Sequence, residues 1–296
     1  MSKLLLRAFL PAILAAIPGS LFAVDGVVLI DQPHALAGGI TTGDAPGFPV
    51  TITQPGSYKL SGPLTIPDSN TDAILVAAAP VTIDLNGFSI NGPNVCTQNS
   101  SSAISCTGNG NGRGIIVNSV ATVSILNGTI KGMGGFAISG AGSGPLAYID
   151  HLVVQSNGGG IFTPGTVTNT TALLNGGDAI RATAVRDCLV DLNGGIGVLV
   201  SGVASGNTIT NNGGAGLFGF NSALIGNMVQ GNGIGLQAQC PSVVFGNTVN
   251  NNGGSDQIQL SDATCVANTN TPDLTVTPPV SMSKDKPNSG ASAQRK

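Results

Sequence analysis

The chain has 296 residues, a formal net charge of −3, 8% charged residues and a mean hydropathy of +0.30. This balance excludes a basic nucleic-acid-binding protein and a polyanionic tail. The acidic residues are all Asp, the 11 Lys and Arg are too few for the surface of a helical protein, and the 44 Gly favour tight turns.

The N-terminus has the three parts of a signal peptide. Lys3 and Arg7 provide a positive start, residues 8–17 are apolar, and small residues lead to a cleavage point after Ala23. The apolar run is shorter than a membrane-spanning helix. We therefore expect residues 1–23 to be removed, no membrane span in the mature chain, and a secreted or periplasmic location.

The next region predicts short strands separated by Gly and Pro. Strand-like runs of β-branched and apolar residues lie at 50–52, 58–60, 64–66, 74–76 and 81–90. We interpret residues 24–95 as an N-terminal cap and first coils, and residues 96–113 as a loop insertion. At the other end, residues 269–296 are rich in Pro, Ser, Thr and Lys and predict a disordered tail.

One motif recurs through the second half of the chain. Asn-Gly, usually Asn-Gly-Gly, returns at intervals of 18 to 20 residues (175 − 157 = 18; 252 − 232 = 20). Apolar columns lie eight and three residues before each Asn. The repeats are centred on Asn157, Asn175, Asn193, Asn212, Asn232 and Asn252. This pattern predicts a solenoid whose coils bury their apolar side chains against one another.

The repeat length distinguishes between kinds of solenoid. A left-handed β-helix needs a hexapeptide repeat, which intervals of 19 and 20 do not allow, and a leucine-rich repeat needs Leu columns that are missing. Parallel strands joined by crossovers are almost always right-handed. We therefore predict an all-β fold, a single-stranded right-handed parallel β-helix (solenoid) with an N-terminal cap, its repeats spanning residues 114–268.

A second column of amides accompanies the repeats. Asn207, Asn227 and Asn247 lie five residues before the last three Asn-Gly motifs, and Asn268 continues the column. Stacked one coil apart, these side chains are predicted to form a hydrogen-bonded ladder. Glycine after each repeat Asn is expected to relieve the steric cost of a left-handed turn.

The five cysteines are informative about compartment and core. Cys96 and Cys106 bracket the polar insertion, and a disulfide there would staple it in an oxidising space. Cys188 falls in the ladder column and is predicted to be a buried free thiol. Cys265 falls in the inward apolar column, and a bridge between Cys240 and Cys265 is a second option.

These residues resemble a known family. The stretch 207–214, Asn-Thr-Ile-Thr-Asn-Asn-Gly-Gly, looks like a repeat of the right-handed β-helix superfamily, and 55–60 with 81–88 resembles the first coil of its secreted bacterial members. The resemblance covers residues 24–268 and implies an exported β-helix protein. The superfamily includes polysaccharide lyases, galacturonidases, pectin esterases, alginate epimerases and adhesins, so the fold does not imply one activity.

The motifs of several of these enzymes are missing. The Asn-Thr-Asp, Asp-Asp and Gly-His-Gly elements of galacturonidases do not occur, nor does the acid pair of pectin esterases. The Asp-Pro-His-Glu element of alginate epimerases is also missing, and the chain has no Glu. These absences favour a non-catalytic protein, although lyase motifs are loose.

One charged cluster is the candidate for chemistry. In repeat register, His151, Asn169 and Asp187 occupy one position in successive coils, so Asp187 lies about 10 Å from His151. A β-elimination needs a base and a cation for the uronate carboxylate, which Arg181 or Arg186 with flanking Asp could supply. A surface patch of solvated charges is the favoured interpretation. The cluster comprises Asp150, His151, Asp178, Arg181, Arg186, Asp187 and Asp191.

A calcium ion is the only cofactor with any support. Asp178, or Asp187 together with Asp191, could provide carboxylate ligands. The glycine-aspartate nonapeptide of calcium-binding rolls is missing from the sequence.

Four phenylalanines allow two interpretations. Phe162, Phe218, Phe220 and Phe245 could form a platform on which sugars stack. The favoured alternative is that they stack inside the helix core.

Three functions remain. The first is a non-catalytic extracellular scaffold that binds a glycan or a cell-surface partner. The second is a polysaccharide lyase or related enzyme centred on residues 178–191, and the third is a structural or adhesive surface protein. The sequence favours them in that order and leaves the ligand and oligomeric state open.

Overall fold

The computed structural model describes residues 26–99, 103–108, 110–118, 122–140, 147–254 and 258–271. The predicted signal peptide and residues 272–296 of the predicted tail lie outside these ranges. Within them the regular structure is β, apart from one helix, α1 (Gln32–Ala37). No helix in the described part of the chain is long and apolar enough to cross a membrane.

The strands are short, and Gly or Asn follows several of those in the second half of the chain. In chain order they are β1 (Val27–Ile30), β2 (Val50–Ile52), β3 (Gly56–Leu60), β4 (Leu64–Thr65), β5 (Ile74–Val76), β6 (Val81–Asp84), β7 (Ser89–Asn91), β8 (Cys96–Gln98), β9 (Ile104–Cys106), β10 (Ile115–Val117), β11 (Val123–Lys131), β12 (Phe136–Gly140), β13 (Ala147–Gln155) and β14 (Gly159–Phe162). The second half contains β15 (Thr166–Thr168), β16 (Thr171–Leu173), β17 (Ile180–Arg186), β18 (Leu189–Asp191), β19 (Val198–Ser205), β20 (Thr208–Thr210), β21 (Ala215–Phe220), β22 (Ala223–Ile225), β23 (Met228–Gln230), β24 (Ile234–Gln239), β25 (Val243–Phe245), β26 (Thr248–Asn250), β27 (Ile258–Leu260) and β28 (Val266–Asn268).

All strands except β8 and β9 wind into one parallel sheet with three faces. Face A contains β2, β5, β10, β12, β14, the first halves of β17 and β19, β21, β24 and β27. Face B contains β1, β3, β6, the first halves of β11 and β13, β15, the second halves of β17 and β19, β22, β25 and β28. Face C contains β4, β7, the second halves of β11 and β13, β16, β18, β20, β23 and β26. The predicted parallel β-helix is therefore confirmed, with about ten coils.

The core consists of the inward columns of the three faces. On face B, Ile149, Val167, Val185, Ala204 and Leu224 stack in register and are fully buried. The column three residues before each repeat Asn is equally buried on face C. Burying each larger aliphatic side chain contributes about 1.5–3 kcal/mol, so these columns dominate the stability of the helix.

Two amide ladders line the corners between the faces. The short ladder, at the corner between faces B and C, begins with Cys188 and continues through Asn207, Asn227 and Asn247. The long ladder, at the corner between faces C and A, consists of the repeat asparagines themselves, Asn157, Asn175, Asn193, Asn212, Asn232 and Asn252. The sequence predicted the first ladder but not the second.

The prediction that Asn268 ends the short ladder is wrong. Asn247 donates to Asn270, which is buried, whereas Asn268 is exposed and pairs with Phe245 on face B. The last coil is longer than those before it (270 − 247 = 23, against 247 − 227 = 20). The predicted start of the tail at 269 therefore lies inside the last coil.

The same extra length moves Cys265 out of its predicted column. Ala267, not Cys265, pairs with Val244 in the inward column of face B. Cys265 instead bonds to Cys240, so the second bridge left open by the sequence is present. Cys188 is free and buried, as predicted.

The glycine after each repeat Asn has a different role from the one predicted. The left-handed residue is the one before the Asn, such as Ser156, Leu174 or Asn211. The glycine that follows keeps neighbouring coils close, because a Cβ on Gly194 would lie 2.2 Å from the carbonyl oxygen of Gly176. Glycine is therefore needed at this position because neighbouring coils stack closely, and not because the backbone is left-handed there.

The insertion is an antiparallel hairpin of β8 and β9 joined by the predicted disulfide between Cys96 and Cys106. It lies over the glycines of the corner between faces C and A, since a Cβ on Gly176 would lie 2.7 Å from the Cys106 Sγ. Two disulfides are typical of proteins in oxidising compartments such as the periplasm or the extracellular space.

Candidate functional site

Outward side chains on face A form a line along the helix axis. Phe162 on β14, Arg181 on β17, Leu199 on β19 and Phe218 on β21 pair in successive coils. Their inward neighbours, such as Ile161 and Leu217, are fully buried, because side chains alternate across a strand. The line therefore presents two aromatic rings and a cation to the outside.

Ring contacts organise this line. The guanidinium carbon of Arg181 lies 5.4 Å from the centroid of the Phe162 ring, a cation–π arrangement worth about 0.5–1 kcal/mol at an exposed site. Phe136 and Phe162 have centroids 6.1 Å apart, and those of Phe218 and Phe220 are 4.4 Å apart. We call Phe136, Phe162, Arg181, Phe218 and Phe220 the aromatic strip.

Asp178 completes the environment of the arginine. One Asp178 carboxylate oxygen lies 3.6 Å from an Arg181 terminal nitrogen, and the other accepts the backbone N–H of Ile196 at 2.8 Å. The side chain of Arg181 is 42% exposed, although its Nε is buried without a hydrogen-bond partner among the described residues. Such a long, exposed ion pair contributes little stability and leaves the guanidinium able to bind a ligand.

The expectation that the four phenylalanines stack inside the core is wrong. Phe162 is 37% exposed, Phe245 is 47% exposed, and Phe218 and Phe220 are half-buried. All four occupy outward positions, next to buried inward residues such as Ile161, Leu217 and Val244. Phe245 lies on face B, so it does not belong to the strip.

A second polar site lies at the corner between faces B and C. Asp150 accepts hydrogen bonds from Thr168 Oγ1 at 2.7 Å and Asn169 Nδ2 at 2.8 Å, and its other oxygen lies 2.7 Å from His151 Nδ1. The hydroxyls of Tyr148 and Thr168 are 3.4 Å apart. We call Tyr148, Asp150, His151, Thr168 and Asn169 the polar corner.

The charge state of the polar corner follows from these bonds. Burial alone would raise the pKa of Asp150. Hydrogen bonds from Thr168, Asn169 and His151, with the charge of His151, outweigh burial and hold that pKa below its ordinary value. The His151 side chain is 62% exposed, so a carboxylate orients an imidazole that a solute can reach.

The predicted charged cluster is divided among the three faces. Asp150, Thr168 and Arg186 stack in one column of successive coils. Asp187 occupies the corner position two coils from His151, as the register predicted. Arg181 is on face A. Asp191 is on face C, where its carboxylate accepts bonds from Thr210 and Asn211.

The proposed calcium ligands do not form a group of three. Asp187 lies at the corner between faces B and C, and Asp191 ends β18 on face C. In the part of the chain that the structure describes, no three His, Cys, Asp or Glu side chains are placed to hold a metal ion.

The disulfide-bonded hairpin borders a cleft of about 860 Å³. Its walls are Gln98, Ala103 and Ile104 on the hairpin, and its floor is the glycine and asparagine backbone of successive coils, including Gly194 and Gly213. Among the described residues, no aromatic or charged side chain lines this cleft, so these residues offer a ligand fewer anchors than the aromatic strip does.

Sequence reasoning missed Phe136 and Tyr148. Tyr148 lies two residues before Asp150, which places both on the outward side of β13, so strand alternation could have found it. Phe136 carries no comparable signal, because its contact with Phe162 depends on how β12 and β14 pair.

No protein-family model matches this sequence, and no curated protein is significantly similar to it. Among solved structures, the A-module of the mannuronan C-5 epimerase AlgE4 of Azotobacter vinelandii is similar in fold, with a TM-score of 0.42 and 14% sequence identity. The match covers 70% of this chain and 72% of that chain.

Proposed function

We propose that the protein is an exported, non-catalytic module that binds a glycan along the aromatic strip. The observation that carries this proposal is the Arg181 guanidinium stacked on the Phe162 ring, in one line with Phe218. Aromatic faces take the apolar faces of sugar rings, and a guanidinium donates to hydroxyl or carboxylate oxygens. The line follows the helix axis, which suits a polymer lying along it.

The test is calorimetric titration of the mature chain, residues 24–296, with neutral and acidic polysaccharides. Phe162→Ala and Phe218→Ala should each weaken binding by about tenfold, equivalent to about 1.4 kcal/mol of lost stacking. Phe245→Ala is the matched control, because this phenyl is comparably exposed on another face. Equal weakening by all three variants, or no binding to any polysaccharide, would refute the proposal.

A second candidate is a polysaccharide lyase acting at the polar corner. It is supported by the exposed His151, which Asp150 holds. The Tyr148 hydroxyl lies near Thr168, and Arg186 occupies the same column as Asp150 and Thr168. His151 or Tyr148 would remove the proton next to a uronate carboxylate, and Arg186 would neutralise that carboxylate. The electron pair left behind would form a carbon–carbon double bond as the glycosidic carbon–oxygen bond on the neighbouring ring carbon breaks, and the leaving oxygen would take a proton from the same side chain or from water.

Mass spectrometry of polysaccharide digests tests this second candidate. Unsaturated oligosaccharides should form with the wild type and disappear with His151→Ala, Arg186→Ala or Asp187→Ala. Asp191→Ala is the control, because Asp191 makes the same Thr and Asn contacts as Asp150 but on face C. Intact polymers with the wild type would contradict lyase activity on those substrates.

A further inference from the structure

Face B changes character along the helix axis. Its first coils present the polar corner and Arg186, whereas the outward side chains of β19, β22, β25 and β28 are mostly apolar. Ile225, Val243, Phe245 and Val266 are 39%, 44%, 47% and 63% exposed. Ile225 pairs with Phe245 and Val243 with Val266 in two adjacent outward columns. We call these four residues the apolar patch.

The part of the chain that carries most of the patch has no charge. No Asp, Glu, Lys, Arg or His occurs between Asp191 and Asp256, so the coils from β19 to β26 contribute none. Charged side chains at a surface repel other copies of a protein and counteract the stickiness of exposed apolar residues. This stretch lacks that protection, which favours association through the patch.

We propose that the apolar patch binds the same patch on a second copy of the chain, in a reversible dimer packed through face B. In a two-fold dimer the same surface is buried on both partners. Here neither partner brings a charge into the contact, so its formation does not bury an unpaired ion.

The spacing of the coils supports a second copy as the partner. The rows of side chains on face B lie about 4.8 Å apart, and a second copy has the same spacing. The rows of one copy can therefore fit between the rows of the other, as side chains interdigitate where two sheets pack face to face.

The size of the patch fits a reversible dimer. With Val203 and Ala223, the outward apolar side chains of four coils form a continuous surface about 15 Å long. The largest apolar patches of monomeric proteins measure about 300–600 Å². Weak complexes bury less than about 600 Å² on each partner, so a patch of this class holds two copies together when the chain is concentrated.

Two other kinds of partner fit the patch less well. A membrane surface attracts Lys and Arg, which the chain lacks between Asp191 and Asp256. A glycan needs several hydrogen-bonding groups beside an aromatic ring, and Phe245 has only Ser205 and Asn268 as polar outward neighbours on these four strands.

Sedimentation equilibrium of the full mature chain, residues 24–296, tests the proposal. The wild type should shift from monomer to dimer as its concentration rises. Val243→Asp and Phe245→Asp should each raise the dissociation constant about tenfold or more, because each places a charge inside the contact. Circular dichroism of each variant establishes that the helix is folded.

Leu29→Asp is the matched control. Leu29 is 50% exposed and lies on β1, in the first coil of the same face. It belongs to the same outward column as Phe245, many coils away. The substitution adds the same charge outside the patch, so the dissociation constant should not change.

Tryptophan fluorescence provides a second measurement, because the chain has no Trp. In Phe245→Trp, quenching of the indole by acrylamide should decrease as the chain concentration rises, since the dimer shields it. In Leu29→Trp, quenching should be the same at every concentration.

Three results would overturn the proposal. The first is a monomer at every concentration, and the second is a dimer that Val243→Asp and Phe245→Asp leave intact, which would use another surface. The third is an indole in Phe245→Trp that is shielded equally at every concentration, because a segment of the same chain would then cover the patch.

Discussion

At the scale of single residues, the ladder asparagines connect the coils of the helix. Asn212 accepts hydrogen bonds from the N–H and the amide of Asn193, and its own amide donates to Asn232 and to the carbonyl of Val190. Each ladder side chain thus satisfies polar groups that the turn leaves in the interior, where no water can bind them.

Replacing one ladder asparagine should destabilise the fold. In Asn212→Ala, two donors of Asn193 and the carbonyl of Val190 lose their hydrogen-bond partner. Each unsatisfied group costs about 1 kcal/mol or more, so the free energy of unfolding should fall by about 3 kcal/mol. Urea denaturation measures this loss. Asn250→Ala, at an exposed outward position, is the control and should stay within about 0.5 kcal/mol; a similar small loss in Asn212→Ala would contradict the role of the ladder.

Cys188 should make stability fall at alkaline pH. Burial raises the pKa of its thiol to about 12 from an ordinary 9.0. The folded chain then keeps a proton that the unfolded chain releases, so stability is lost as the pH rises from 9 towards 12. The free energy of unfolding should fall more steeply over this window in the wild type than in Cys188→Ala. Identical slopes would contradict the burial of the thiol, whatever the offset between the two proteins at pH 8.

At the scale of elements, glycines set how closely a coil and the hairpin approach their neighbours. A Cβ on Gly194 would lie 2.2 Å from a backbone oxygen, whereas Gly226 has open space and a φ of +63°. The first glycine is required by stacking and the second by backbone conformation.

These two causes predict an order of stability. Gly226→Ala should cost about 1–2 kcal/mol through left-handed strain, and Gly194→Ala should cost more because two coils must move apart. Gly226→Asn should be nearly neutral, since Asn169 adopts the same left-handed conformation. Thermal or urea unfolding of the three variants gives the order, and a Gly194→Ala variant as stable as the wild type would contradict close stacking.

The disulfide of the hairpin should act locally. The strands β8 and β9 pair only with each other, so the bond between Cys96 and Cys106 closes an element that lies outside the parallel sheet. In Cys96→Ser/Cys106→Ser, hydrogen exchange should rise in residues 96–106 while β13 and β17 stay protected. Loss of protection throughout the helix would show instead that the hairpin supports the whole fold.

At the scale of the whole molecule, the helix needs its first strands to be covered. On face A, Asp44 accepts the N–H of Thr51, and Thr41 donates to the Thr51 carbonyl. On face B, β1 pairs with β3, and on face C the Gln32 side chain pairs with both backbone groups of Thr65. Open strand edges invite association, so these contacts protect the N-terminal end.

Removing this cover should loosen the first coil and promote association. In Asp44→Ala the N–H groups of Thr51 and Ile40 lose their acceptor, and exchange should rise in β2 and β5 before it rises in later coils. Light scattering should detect larger species as the protein concentration increases. Gln54→Ala, which removes only an exposed contact to Thr42, is the control and should change neither readout. Unchanged exchange in Asp44→Ala would mean that Asp44 does not protect the edge.

The sequence by itself determined the coil. A fixed interval between Asn-Gly motifs forces equivalent residues into columns, so the strand positions, the buried columns, the place of Cys188 and the ladder from Asn207 to Asn247 could all be predicted. Prediction of the column positions of Asn268 and Cys265 failed, because the interval changes there and the extra residues of the last coil shift the register. Periodicity carries no information about where such residues are inserted.

Only the tertiary structure decided what the faces present. Seven charged residues close in sequence become separate sites on faces A, B and C, because neighbours in sequence diverge around each coil while residues 18 to 20 apart meet. The aromatic strip depends on which side of β14 and β21 the phenylalanines occupy, and the alternation is too short in these glycine-rich strands for the sequence to fix it. The pairing of Arg181 with Phe162 likewise depends on register between coils, which folding alone establishes.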